Sequence, residues 1–178
     1  MPKFTRLQRL SFDDERPEFD CGDSDLNEFF SSDSIESDKQ LLSVTYLAKD
    51  EADNGIAFLS LSNDSIKKEL LPSKNAFKRL VRSLSRSKRY SSMPAVKIGR
   101  LGTRSDLQGN GIGTDLLDYI KFWFTHGNKT GCKFILVDAY NNPRTIKFYI
   151  DNGFNFLISS GEKDETRLMY FDLITFRP

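Results

Sequence analysis

Apolar positions along the chain follow two periods. In residues 42–49 and 56–62 they alternate with polar ones and include β-branched and aromatic side chains, which predicts two strands. Between them, Asp50-Glu51-Ala52-Asp53-Asn54-Gly55 predicts a hairpin turn, with Asn54-Gly55 supplying the positive φ. Residues 95–103 read as another strand. Gly99 and Gly102 lie inside it, a sign of a bulge or of close backbone approach. Residues 133–139 form a nearly continuous apolar run, the pattern of a buried central strand. Residues 4–12 suggest a first strand. Residues 154–158 and 168–173 suggest the last two, joined by a hairpin over 159–166.

Elsewhere the spacing is helical. Leu26, Phe29 and Phe30 share one face of a helix that Asp23 or Ser24 can cap, and residues 31–40 continue as a weaker helix or a loop. Leu70, Leu71, Phe77, Leu80, Val81 and Leu84 recur at three- and four-residue intervals. Pro72 interrupts them, so the main helix begins near Ser73, and residues 91–94 read as a linker. Leu116, Leu117, Ile120 and Phe124 mark an amphipathic helix over 114–125. Asn142 caps, and Pro143 opens, a helix that stops at Asn152-Gly153. Strands and helices interleave along the chain, as in an α/β protein. At 178 residues, the whole of 1–178 fits a single domain.

Composition narrows the chemistry. No apolar run reaches the ~18 residues that cross a bilayer. Residues 1–20 mix charge with single apolar side chains, unlike a secretory signal. Cys21 and Cys132 are far apart and lack Cys or His neighbours at ligand spacing, so they read as free thiols of a reducing cytoplasm and no metal site is expected. The one histidine, His126, falls at the end of the 114–125 helix and reads as a surface residue, which leaves a zinc site or a Ser-His-Asp triad little to work with.

The net charge of +1 hides three blocks: residues 1–66 carry −9, residues 67–104 carry +11, and residues 105–178 carry −1. Lys78, Arg82, Arg86 and Arg89 fall at three- to four-residue intervals in the basic block. Such a row suits an anionic partner, contacted through its phosphates. It equally suits the wet face of an amphipathic helix neutralised by the acidic N-terminal third.

The densest chemical signal is Leu107-Gln108-Gly109-Asn110-Gly111-Ile112-Gly113-Thr114, between a predicted strand and a predicted helix. Its glycines let a ligand approach the backbone, and the helix start aims N–H groups and a positive dipole end into the same space, a combination that holds phosphate. A P-loop would need a lysine after the last glycine, where Thr114 stands, and a Rossmann fingerprint needs different spacing near the start of a βαβ unit. Gln108-Gly109-Asn110-Gly111-Ile112-Gly113 instead fits Gln/Arg-x-x-Gly-x-Gly/Ala, the pyrophosphate loop of the GNAT acetyltransferases. Leu101-Gly102-Thr103 before it, and the apolar strand, Asn142, Phe148-Tyr149 and Gly153-Phe154 after it, stand in that family's order. Residues 95–175 therefore resemble a GNAT domain. Phe19-Asp20-Cys21-Gly22, Leu26-Asn27-Glu28-Phe29 and Ile98-Gly99-Arg100-Leu101 resemble one branch of it, the GNAT toxins of toxin–antitoxin pairs, which acetylate aminoacyl-tRNA.

The resemblance implies a GNAT fold, with a mixed central sheet of about six or seven strands flanked by helices, in a cytoplasmic N-acetyltransferase that uses acetyl-CoA. It places the diphosphate on Gly109, Asn110, Gly111, Ile112, Gly113 and Thr114, with Gln108 opening the loop. The pantetheine arm falls along Leu101, Gly102 and Thr103 and against Asn142. Tyr149 takes the family's general-acid position, giving a proton to the leaving thiolate. No general base stands out: the strand offers Lys97 and Arg100, and Asp138 is an alternative. An α-amine is partly neutral at cellular pH and can do without one. The branch further implies an aminoacyl-tRNA acceptor, for which the row Lys78, Arg82, Arg86 and Arg89 offers phosphate contacts, and an antitoxin, while GNAT proteins are often dimers, so a homodimer is expected. A small-molecule or protein N-acetyltransferase and a non-catalytic CoA-binding module are the alternatives.

Overall fold

The computed structural model describes residues 3–82, 84, 90–158 and 161–177. Its strands form a seven-stranded mixed sheet in the order β1-β2-β3-β4-β5-β7-β6, flanked by helices. In chain order these are β1 (Arg6–Leu10), α1 (Ser24–Glu28), α2 (Ser34–Lys39), β2 (Val44–Lys49), β3 (Gly55–Lys67), α3 (Lys74–Leu80), β4 (Ser92–Thr103), α4 (Ile112–Thr125), β5 (Phe134–Tyr140), α5 (Pro143–Asp151), β6 (Asn155–Phe156) and β7 (Thr166–Asp172). The chain divides into two compact units: Met1–Ser62 with Ile98–Phe122, and Asn63–Lys97 with Trp123–Pro178.

In the first unit, β1 and β2 pair antiparallel with Leu10 opposite Thr45. β2 and β3 pair antiparallel with Leu47 opposite Phe58. One face of these strands gathers Leu10, Leu47 and Phe58 around Phe30, with Phe19, Leu26 and Phe29 packed against them. Asp23 is the cap of α1: its carboxylate accepts the Leu26 N–H at 3.1 Å. The stretch after it stays helical, through a π turn at Phe29–Asp33 and then α2.

The hairpin differs from the sequence expectation. Asp53, not Asn54 or Gly55, carries the positive φ of 64°. The Asp50 carboxylate accepts the N–H groups of both Ala52 and Asn54 at 2.9 Å, and Asp53 donates to the Asp50 carbonyl at 3.1 Å. This side-chain turn fixes the bend and leaves Gly55 as the first residue of β3.

In the second unit, Ile66, Phe77, Leu80, Val81, Met93, Ala95, Phe134 and Leu136 form a core cluster. Four boundaries shift there. β3 runs on to Lys67, and β4 begins at Ser92, so residues 92–94 are strand rather than linker. Met93 is buried, and the Pro94 carbonyl accepts the Lys133 N–H at 2.9 Å, a bond that needs no N–H from proline. α3 starts where expected, with the Ser73 hydroxyl accepting the Ala76 N–H at 3.1 Å, but it closes at Leu80. β5 and β7 pair antiparallel along seven residues. β6 is two residues long, shorter than the strand expected at 154–158.

Candidate active site

The glycine bend lies in the first unit. β4 leads through a single 3-10 turn, Ser105–Leu107, into Gln108. Gly109 and Gly111 adopt φ values of 79° and 82°, a region that costs a residue with a Cβ ~1–2 kcal/mol. A Cβ on Gly109 would meet nothing within 4 Å, so torsion alone asks for glycine there. The first helical bond of α4 runs from the Asp115 N–H to the Gly111 carbonyl at 3.0 Å. The N–H groups of Gly111, Ile112 and Gly113 precede it and have no helical carbonyl four residues back. They stand with Thr114 at the positive end of a 14-residue helix. Main-chain donors arranged this way can hold an anion.

Gln108 turns its side chain into the protein. Its Nε2 donates to the Cys21 carbonyl at 2.7 Å and to the Thr103 carbonyl at 3.1 Å, tying the loop to the 20–22 turn and to the end of β4. That turn is itself braced. Asp20 accepts from the Gly22 N–H and from Asn27 Nδ2, both at 2.8 Å, and its carbonyl takes the Ser105 N–H at 2.9 Å. The Gly22 and Asn27 hydrogen bonds hold the Asp20 carboxyl below the usual carboxylate range.

The segment of β4 before the loop is irregular. A Cβ on Gly99 would lie 3.0 Å from Ser60 Oγ, and one on Gly102 would lie 2.8 Å from Phe58 Cε1. Ser60 and Phe58, two apart on β3, share a face. Gly99 and Gly102, three apart, look at that same face, which a regular strand forbids. The expected bulge therefore falls between them, at Arg100-Leu101. Glycine at 102 makes room for the Phe58 ring. Arg100 lays its guanidinium 5.2 Å from the Phe29 ring centre and donates to the Gly99 carbonyl at 2.9 Å.

Asn142 and Tyr149 belong to the second unit, both with α5. The Asn142 side-chain oxygen accepts the Thr145 N–H at 2.9 Å as the helix cap, with Pro143 in the first turn. The cap uses the oxygen of the amide and not its nitrogen. Tyr149, two turns on, is buried, with its ring 5.1 Å from that of Phe148 and 5.3 Å from that of Phe154. Gly153 at φ 83° ends the helix and lets Phe154 donate back to the Tyr149 carbonyl at 2.9 Å. The Gly-Phe signal in the sequence thus packs Phe154 on the tyrosine. Burial pushes the Tyr149 phenol well above the usual tyrosine value. At working pH it holds its proton, so it can donate one but cannot act as a base.

Asp138 and Lys97, weighed above for proton transfer, form an ion pair with each other. Lys78 is exposed in the last turn of α3, whose buried face is Ala76, Phe77 and Leu80. Arg82 lies exposed beyond the helix end, so it does not extend a helical row from Lys78, because the chain turns at Val81. Arg86 and Arg89 lie outside the described residues.

Among the described residues no group of three or more His, Cys, Asp or Glu is placed to hold a metal ion. No described helix is long and apolar enough to cross a membrane. Burial pushes the Cys21 thiol up, and the Cys132 thiol up to about 11. His126 is exposed. Sequence reading missed Lys3, whose ammonium donates to the Asn110 carbonyl. No local pattern marks one lysine near a terminus.

A family model described as an acetyltransferase (GNAT) domain matches residues 43–156. The chain is similar to the solved structure of AtaT complexed with acetyl-methionyl-tRNAfMet, at 21% identity over 96% of each chain with a TM-score of 0.75. It is similar to AtaTR bound with AcCoA at 22% identity, covering 96% of this chain and 94% of that one, with a TM-score of 0.73. A Tyr-to-Phe mutant of the toxin AtaT, bound to the C-terminus of the antitoxin AtaR and acetyl-CoA, matches at 19% identity over 96% and 94%, with a TM-score of 0.69. At these identities the likeness is one of fold.

Proposed function

Because the chain belongs to the acetyltransferase (GNAT) family, we propose that it moves the acetyl group of acetyl-CoA onto a primary amine, the α-amine of an aminoacyl-tRNA. The observation that carries the donor half is the pair of left-handed glycines, Gly109 and Gly111, opening α4. They turn a run of backbone N–H groups into a diphosphate cradle over Gly109, Asn110, Gly111, Ile112, Gly113 and Thr114. The irregular main chain at Leu101, Gly102 and Thr103 pairs with the pantetheine arm, and the Asn142 amide nitrogen donates to it. An N–H of that strand polarises the thioester carbonyl as charge develops on its oxygen.

The amine attacks as the free base. Its nitrogen forms the new bond to the carbonyl carbon and sheds its extra proton to water, while the C–S bond breaks and the electron pair leaves on sulfur. Tyr149, protonated at working pH, gives that sulfur a proton and recovers one from water. Gln108 acts through the backbone, by fixing where the loop begins.

The aminoacyl-tRNA acceptor is supported by the likeness to AtaT, which is solved with acetyl-methionyl-tRNAfMet, and by the +11 block at residues 67–104. Lys78, Arg82, Arg86 and Arg89 then contact phosphates. An antitoxin partner, as AtaT has in AtaR, a homodimer and a cytoplasmic location complete this reading. The family match over 43–156 includes parts of both compact units, which supports 1–178 as one catalytic domain.

The test is a screen of radiolabelled acetyl-CoA against charged tRNA, polyamines and peptides. Label should pass to charged tRNA, with binding that weakens as salt rises and as Lys78 and Arg82 become Ala. Label on polyamines or peptides alone would replace the acceptor while keeping the enzyme class. Binding of CoA with no transfer to any amine would leave a CoA-binding module.

A further inference from the structure

The N-terminal segment meets the glycine bend at Lys3. Its ammonium donates a hydrogen bond to the Asn110 carbonyl, and its own backbone N–H donates to Asp115 Oδ2 in the first turn of α4 at 2.8 Å. The segment is anchored just beyond. Phe4 is buried edge-on against Tyr119 of α4, with ring centres 5.7 Å apart, and the Thr5 N–H donates to the Lys49 carbonyl at 2.9 Å. The contact is close: a Cβ added to Gly111 would lie 2.6 Å from the ammonium nitrogen.

In a trans peptide the carbonyl and the following N–H point in opposite directions. Lys3 holds the carbonyl of residue 110, so it also sets the direction of the Gly111 N–H, which faces away from the N-terminal segment. The torsions at this peptide do not fix that direction by themselves. Glycine turns freely about φ, and asparagine tolerates left-handed and extended backbone alike, so the peptide between them can turn over at small cost. Turned over, it would offer a diphosphate the negative end of a carbonyl dipole in place of a donor.

We propose that Lys3 is a positioning residue for the acyl donor: by holding the Asn110 carbonyl, it keeps the Gly111 N–H pointed into the diphosphate cradle. This rests on the donor reading above, and it adds to the loop a residue more than a hundred positions upstream.

The test compares the wild type, Lys3→Met and Lys3→Arg in the full chain. Calorimetric titration with CoA should give a Kd raised about tenfold in Lys3→Met, the loss expected for one charge-assisted hydrogen bond, and restored within about twofold in Lys3→Arg. Binding of pantetheine, which lacks the diphosphate, should be the same in all three. In the ligand-free protein the Gly111 amide resonance should shift or broaden in Lys3→Met and return in Lys3→Arg, a change that a purely phosphate-contacting lysine would not produce. Unchanged CoA affinity, equal loss of pantetheine binding, or an unmoved Gly111 resonance would each overturn the assignment. Should the wild type itself fail to bind CoA, the donor reading falls, and the Gly111 resonance still reports whether the clamp exists.

Discussion

The two compact units solve different problems with different parts of the chain. In the first, the proposed mechanism works through the backbone. Gly109 and Gly111 shape it, while the Gln108 and Lys3 side chains are spent on main-chain carbonyls. In the second, the proposed mechanism uses two side chains, Asn142 and Tyr149, placed by one helix whose cap and stop are both encoded locally. A backbone site tolerates most side-chain changes and fails when a torsion is blocked. A side-chain site fails when one atom is removed. Substitutions that separate binding from turnover therefore test whether the division holds.

The largest effect should come from the smallest change. Tyr149→Phe removes one oxygen from a buried ring and leaves its contacts with Phe148 and Phe154 in place. Turnover should fall ~100-fold or more, the usual worth of a positioned acid, with CoA affinity within about twofold of wild type. Steady-state kinetics beside calorimetry decides it, and unchanged turnover would remove Tyr149 from the reaction.

Gly102→Val comes next and acts on the fold. Its Cβ would press on the Phe58 ring, itself fully buried. Overpacking of this kind costs about 2 kcal/mol, which lowers Tm by ~4–8 °C in a chain of this size. An unshifted melting curve would show that Phe58 has room to move.

Gly111→Ala forces a side chain into the left-handed region beside Lys3. CoA affinity should drop about tenfold, with turnover at saturating donor nearly unchanged. A fall in turnover alone would blur the contrast between the two units.

Asn142 separates two roles of one side chain. Asn142→Ala loses the cap and about 1 kcal/mol of stability. Asn142→Asp keeps an oxygen for the Thr145 N–H and loses the amide nitrogen. It should melt like the wild type yet bind acetyl-CoA several-fold more weakly. Equal binding would confine Asn142 to capping.

The pH dependence is the gentlest test. Burial raises the Tyr149 pKa, so the protonated, donating form persists as pH rises. Turnover should climb as the acceptor amine loses its proton, near pH ~8 for an α-amine, and show no alkaline decline below pH ~10. A decline between about 8 and 9 would point to a different acid.

The same contrast explains what could be read in the chain. Elements that rest on local rules were legible: the helix start near Ser73, a cap at Asp23 or Ser24, the Asn142 cap, the Gly153 stop, the apolar strand β5 and the glycine bend. Features that depend on partners far along the chain were not. The hairpin at residues 50–55 looked like an Asn-Gly turn because its geometry is set by the Asp50 carboxylate, which reaches two N–H groups at once. Residues 92–94 looked like a linker because serine and proline disfavour strands, yet Met93 is drawn into a core cluster with Phe134 and Leu136. The basic row looked continuous because Lys78 and Arg82 are four apart, a spacing that means one face only while the helix lasts, and it ends at Leu80. Lys3 carries no pattern at all: its role exists only where the 110–111 peptide comes to meet it.

Donor binding by the glycine bend is tested most directly by calorimetric titration of the full chain with CoA, run beside Gly111→Ala and Tyr149→Phe. Saturable binding by the wild type should be matched by Tyr149→Phe and weakened about tenfold in Gly111→Ala. A wild type that gives no heat and no thermal stabilisation with CoA, or a Gly111→Ala that binds as tightly as the wild type, would contradict it.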